Sequence, residues 1–469
     1  MFTRLSLRLR VFLFFCFLAA GAVALAGGAM YIAWSRATTP VPSAAFVSAI
    51  LIFAFLNTGL VAAIWILFDE HVAKPINTLA SSLRLRAHSD VKAPVSDTNA
   101  KYLDDLAPAA NAVTETLTAS LMGATAQVAR ETERLKVESA RLTALLTEIP
   151  VATILLNSAK EIVLYDGQAA DVLSQVAAPR LKAPLSDYFD LGPLNHAMEA
   201  LSDNQREKTF TLKDHMGTCA FDARLKSMGQ DGHVVLIDAQ SQATRSIGAR
   251  PLVFDFDLIA SKERPQIMDT PLNDLSFVVI DTETTGLSVE TDEIVQIGAV
   301  RSLNGRLVDG EILDTFVNPG RPIPPSSTRI HKVTDAHVTD APDVGTAGRA
   351  LHHFARDAVL VAHNAPFDIG LLRRCQTQMN VTWDHPVLDT VLLSAEVFGT
   401  TEVHSLDALC ERLLIAIPEN LRHTALGDAQ ATGQVLVKLL PLLQAKGIAT
   451  FGALVEASKK HGRLLQDLN

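Results

Sequence analysis

Phe277-Val278-Val279-Ile280-Asp281-Thr282-Glu283-Thr284-Thr285-Gly286-Leu287 is the stretch from which the fold of the C-terminal part can be read. Its apolar half is an unbroken, mostly β-branched run, as expected of a strand buried on both faces. Residues two apart on a strand share a face, so Asp281 and Glu283 leave the strand end side by side. Gly286 follows as a turn that lets a ligand approach the backbone.

Working outward, Glu293-Ile294-Val295-Gln296-Ile297-Gly298-Ala299-Val300 reads as a second buried strand of a mixed sheet. Val359-Leu360-Val361-Ala362 is another, and it delivers the loop His363-Asn364-Ala365-Pro366-Phe367-Asp368 into a helix. Asp368 falls in the first turn of that helix, with Ile369, Leu371 and Leu372 as its apolar side. Further on, His423-Thr424-Ala425-Leu426-Gly427-Asp428 opens a helix whose small residues (Ala429, Ala431, Thr432) can lie close against a sheet. His423 sits in the loop before it.

D-x-E, H-N-A-x-F-D and H-x-x-x-x-D, in this order, resemble the DnaQ-like DEDDh exonucleases over roughly residues 275–468. That family includes the proofreading subunit of the bacterial replicative polymerase and several RNA-trimming enzymes. Ile330-His331-Lys332-Val333-Thr334 is similar to a further segment of the family. The resemblance implies an α/β ribonuclease H-like domain with a five-stranded mixed sheet. It implies that Asp281, Glu283, Asp368 and Asp428 hold two Mg²⁺ or Mn²⁺ ions, with His423 as the base that completes the catalytic set. Hard cations favour carboxylate oxygens over cysteine, and paired ions can both activate water and meet the leaving oxygen. Thr284, Thr285, Gly286 and Leu287 are expected to hold the terminal nucleotide. Phe367 is expected against a base or in the core, and His331, His363 and Asn364 beside the strand end or stabilising their turns.

The remaining chain suggests where such an enzyme sits. Its 469 residues are 48% hydrophobic and 20% charged, with a net charge of −10; a protein that gripped long duplex through phosphates would be basic. Four separated cysteines exclude a disulfide scaffold. Val11–Trp34 and Ala45–Phe68 carry no charge, and each exceeds the ~20 residues that span a bilayer. Arg4, Arg8 and Arg10 before them and Lys74, Arg84 and Arg86 after them place both ends in the cytoplasm. A cleaved leader is the alternative reading of the first span.

Residues 1–70 are thus expected as a transmembrane hairpin in the inner membrane of a bacterium, and 71–141 as a linker. Pro75 and the helical pattern Leu79, Leu83, Leu85 resemble the start of a HAMP module. Leu117, Leu121, Ala124, Val128, Leu135, Leu142 and Leu145 fit heptad positions of a parallel coiled coil, hence a homodimer. Residues 142–241, with strands at Val151–Leu156, Glu161–Tyr165, Lys208–Leu212, Thr218–Arg224 and His233–Asp238, resemble an α+β PAS domain. Residues 242–274 read as a connector and 275–469 as the exonuclease domain.

The expected function is a membrane-anchored, metal-dependent 3′→5′ exonuclease. It would release nucleoside 5′-monophosphates from single-stranded or frayed DNA ends in proofreading or repair. Two alternatives stand beside it. One is an RNA 3′-end trimming enzyme. The other is a membrane sensor whose nuclease domain is a regulated output or an inactive docking module.

Overall fold

Two uncharged stretches build two helices, α1 (Leu7–Ser35) and α2 (Ser43–Phe68). The most apolar 18-residue windows of these spans have mean hydropathies of 2.3 and 2.4, and both helices are long and apolar enough to cross a bilayer. The structure, a computed structural model, describes residues 7–36, 43–76, 80, 151–201, 207–229, 232–238, 252–259 and 266–469. The HAMP-like helix beyond Ile76 and the heptad stretch Leu117–Leu145 lie outside the described residues. The two helices run antiparallel, with Phe12 edge-on to Trp65 at 5.0 Å and Asn57 Nδ2 donating to the Ala19 carbonyl (3.2 Å). Arg8 closes the open end with two bonds of 2.6 Å to Asp69.

The described residues from Val151 onward belong to a second compact unit. Its first part is an antiparallel sheet of β1 (Val151–Leu156), β2 (Ile162–Tyr165), β3 (Glu207–Lys213), β4 (Ala220–Ser227), β5 (His233–Asp238) and β6 (Val253–Phe254). The strand order is β3-β4-β5-β1-β2-β6. Helices α3 (Gly167–Ser174) and α4 (Gly192–Glu199) cover it. Ile154, Tyr165, Leu173, Phe189, Leu212 and Ile237 fill the space between, so the interior is packed with side chains. The first five strands fall where the sequence placed them. β6 is the departure: a piece of the expected connector pairs with β2 and occupies its free edge, which satisfies backbone groups that would otherwise be bare.

The second part is a five-stranded mixed sheet, β7 (Phe277–Thr284), β8 (Ile294–Leu303), β9 (Arg306–Phe316), β10 (Val359–Ala362) and β11 (Val387–Asp389), in the order β11-β10-β7-β8-β9. β10 runs parallel to β7 and to β11, whereas β7-β8 and β8-β9 are antiparallel. Around it lie α5 (Pro325–His331), α6 (Asp335–Val338), α7 (Val344–Phe354), α8 (Ala365–Met379), α9 (Thr390–Phe398), α10 (Leu406–Arg412), α11 (Ala425–Ala445) and α12 (Phe451–Lys459). Val278 and Ile280 pack with Leu351 and Phe354 of α7 and Ile369 and Leu372 of α8. By the alternation of a strand, Asp281 and Glu283 face the opposite side, where α11 lies against β7 and β8.

The two parts are joined by buried charge. Arg301 of β8 and Glu311 of β9 form an ion pair at 2.8 Å, both side chains almost wholly buried. Glu311 also accepts bonds from Tyr165 Oη (3.2 Å) and the Leu181 amide of the first part. Arg180 pairs with Asp187 and donates to the Arg356 carbonyl (3.1 Å), and Arg356 pairs with Asp187 at 2.9 Å. Leu303, at the end of β8, is buried in the hydrophobic core of the first part. Breaking a buried pair strands the remaining charge, which costs more than the pair itself contributes. Glu311→Ala should therefore lower the stability of this unit by about 3–5 kcal/mol. Urea unfolding of the full chain in detergent checks this, and an unchanged midpoint would contradict it.

Candidate active site

Four acids converge on the end of β7 by three separate routes. Asp281 and Glu283 come from the strand itself, on the face that α11 covers. Asp428 arrives in the first turn of α11, whose start is fixed by two bonds. Thr424 Oγ1 accepts the Gly427 amide (3.1 Å), and Gln296 of β8 accepts the Ala425 amide (3.4 Å). Gly298 lets this helix end come close: a Cβ there would lie 2.1 Å from the Ala425 carbonyl carbon. As a result, carboxylate oxygens of Asp281, Glu283 and Asp428 all lie within 4.8 Å of one another. Asp368 enters in the first turn of α8 and is buried, and its Oδ1 accepts from the Thr282 amide (3.0 Å) and hydroxyl (2.7 Å).

These carboxyls disfavour one another's charge. Burial, then Asp368, Glu283 and Asp428 in turn, hold Asp281 well above the usual carboxylate range. Burial followed by Asp428 and Asp368 pushes Glu283 up to about 8. Asp368 rises to about 7 through burial, although the Thr282 bonds oppose the shift. Burial raises Asp428 too, against the imidazole and backbone amide of His423, which favour its charged form. His423 is exposed beside Asp428, with a left-handed φ of 56° just before the helix cap. A set of oxygens this close, reluctant to ionise together, suits hard divalent cations, whose charge would replace protons.

The residues expected at the strand end separate by environment. The turn after β7 is tied internally: Thr284 Oγ1 donates to the Gly286 carbonyl, and Thr285 Oγ1 donates to Asp292 (2.9 Å). Ser327 of α5 donates to the Thr285 carbonyl (2.8 Å), while Leu287 is left 91% exposed. His331 is buried, and its Nδ1 accepts the Val333 amide (3.0 Å). His363 Nδ1 lies 2.8 Å from Thr390 Oγ1, and burial pushes this imidazole down to about 4. Asn364 is exposed in the left-handed region, and Phe367 is half-buried against the core under α8. Thr282, Gln296 and Asp389 also shape the site, through hydrogen bonds to acids or helix ends that no spacing in the sequence announces.

Residues 278–436 match the family model described as Exonuclease. The chain is 31% identical to the DNA polymerase III subunit epsilon-like protein of Rhodobacter capsulatus, in an alignment that covers 99% of each. It is 39% identical over 172 residues to the DNA polymerase III PolC-type of Caldanaerobacter subterraneus, 37% of this chain and 12% of that one. A solved structure of exonuclease X with 5′ overhanging duplex DNA aligns at 27% identity and a TM-score of 0.32, over 39% of this chain and 99% of that one.

The raised carboxyls set a pH dependence. Groups whose folded pKa exceeds the unfolded value stabilise fully below the unfolded value and lose that contribution as pH rises through the folded one. For Glu283 the window runs from 4.5 to about 8. Divalent cations, which compete with these protons, should raise the melting temperature more at about pH 8 than at about pH 5. Differential scanning fluorimetry with and without Mn²⁺ measures it; an equal gain at both pH values would contradict the clustering.

Proposed function

Because the chain belongs to the DNA polymerase III epsilon-like proteins and carries their 3′→5′ exonuclease domain, we propose that it removes nucleoside 5′-monophosphates from DNA 3′ ends while anchored in a bacterial inner membrane. The observation that carries the reading is the convergence of Asp281, Glu283 and Asp428 within 4.8 Å. With Asp368 they form an all-oxygen donor set that fits two Mg²⁺ or Mn²⁺ ions. Divalent cations held there supply positive charge to the phosphodiester and lower the pKa of an attacking water.

His423, exposed beside Asp428, is placed to act as the base toward the attacking water. Leu287 and Asn364, both exposed, meet the terminal nucleotide. Thr284, Thr285 and Gly286 offer backbone groups to it, and His331, His363 and Phe367 hold the turns that present the contact residues. The strand end, not a long duplex, is what this acidic protein grips.

The apolar helices α1 and α2 support membrane anchoring, with the basic residues on either side of the hairpin keeping the catalytic unit cytoplasmic. The heptads preceding the six-stranded domain support a homodimer. A second reading, in which the nuclease is the output of a PAS-like sensor, is favoured by the bonds that buried Glu311 of β9 accepts from Tyr165 and Leu181 of the six-stranded domain.

The test is the full chain in detergent with Mn²⁺ and 5′-labelled single-stranded oligonucleotides. A ladder shortening from the 3′ end is expected. Asp281→Ala should abolish it, and His423→Ala should slow it by about 10²–10⁴-fold. Equal shortening by wild type and Asp281→Ala would refute the assignment. RNA of the same sequence, run beside DNA, distinguishes trimming of RNA from proofreading or repair.

A further inference from the structure

Helix α8 delivers Asp368, yet its own cap residue does not hold it. A helix start leaves its first amides without intrahelical partners, and Asn364, in the capping position, makes no side-chain cap bond. It stands instead with φ 70° and ψ 49°, left-handed. The missing acceptor comes from another strand. Asp389, the last residue of β11, is buried and accepts the Ala365 amide at 2.6 Å and the Asn364 amide at 3.4 Å. The same carboxylate accepts the Val391 amide at 2.7 Å and so also caps its own helix, α9.

One side chain thus fixes two helix starts, and one of them places Asp368 a single turn further on. The opposite end of Asp368 is fixed by Thr282, whose two bonds both go to Oδ1. A negative charge at a helix N-terminus is favourable, and amides bonded to a carboxylate make strong, short bonds. Because β10 and β11 are adjacent and parallel, Ala362 pairing with Asp389, the carboxylate is held by the sheet rather than by a loop.

We propose that Asp389 is a positioning residue for the reaction: it fixes the first turn of α8 so that Asp368 meets the cations with Asp281, Glu283 and Asp428. The inference rests on reading these four acids as the divalent-cation site of an exonuclease. Asp389 is buried and its carboxylate accepts backbone amides of Asn364, Ala365 and Val391, so it acts through Asp368. Its loss therefore lowers cation affinity and turnover far more than the hold on nucleic acid, to which Asn364 is only one of several contacts.

Two variants of the full chain in detergent test this. Asp389→Asn keeps the size but turns an amide towards backbone N–H groups. Asp389→Ser still suits the cap of α9 but is too short to reach the amides of α8. Outer partners of metal ligands typically contribute about 10–100-fold to affinity or activity. In both variants, kcat on a single-stranded oligonucleotide should fall by about 10–100-fold, with KM changed by less than about 3-fold. Mn²⁺ affinity, read by electron paramagnetic resonance without substrate, should fall over the same range, and higher Mn²⁺ should recover part of the rate. A lowered melting temperature with kcat and Mn²⁺ affinity both kept would make Asp389 a structural cap only and overturn the proposal. If wild type binds Mn²⁺ but cuts no nucleic acid, the exonuclease reading fails instead, and the Mn²⁺ comparison still decides the role of Asp389.

Discussion

Like charges that must stand together are the constraint on which the rest of this structure turns. Two carboxylates about 4 Å apart repel by about 4 kcal/mol at an effective dielectric constant near 20, and here Asp281, Glu283 and Asp428 lie within 4.8 Å of one another with Asp368 buried nearby. Burial, with the repulsion of Asp428 and Asp368 added, pushes Glu283 to about 8, and burial raises Asp368 to about 7. Such a cluster is tolerated when a fold holds it rigidly and when protons or cations neutralise it. That need for positive charge is what makes the site chemically useful.

The rigidity comes from parts that carry no chemistry. β7 is buried along most of its length and sets the direction of Asp281 and Glu283. Gly298 opposes Asp281 across the β7–β8 ladder and allows the start of α11 to rest directly on β8, bringing Asp428 over the strand end. On the far edge, β8 and β9 carry the Arg301–Glu311 pair to which Tyr165 and Leu181 of the six-stranded domain are bonded. The strand that seats the helix of Asp428 is therefore also the strand on which the six-stranded domain is docked. The upstream domain has a direct mechanical hold on the scaffold of the site.

Much of the site was legible because its signals are local. The D-x-E spacing puts two carboxylates on one face whatever surrounds them, and a run such as Val359–Ala362 can hardly be anything but a buried strand. The small residues after Asp428 read correctly as a helix lying close to a sheet. What stayed hidden depends on partners distant in sequence. Glu311 looks like an ordinary polar residue of an edge strand, and only the folded chain places it against Leu181, 130 residues away. Thr282 reads as a spacer between two acids but holds a third. Asp389 follows two apolar residues as any strand-ending acid might. Val253–Phe254 is too short to show a period, so a strand that completes a sheet passed for a connector.

The central claim, that these side chains form one cation-binding site, is tested most directly by diffraction from crystals grown with Mn²⁺ and measured at the manganese absorption edge. Anomalous density is expected between the carboxylates of Asp281, Glu283 and Asp428, with Asp368 beside it. Crystals in which manganese sits only elsewhere, or in which those carboxylates point away from one another, would contradict it.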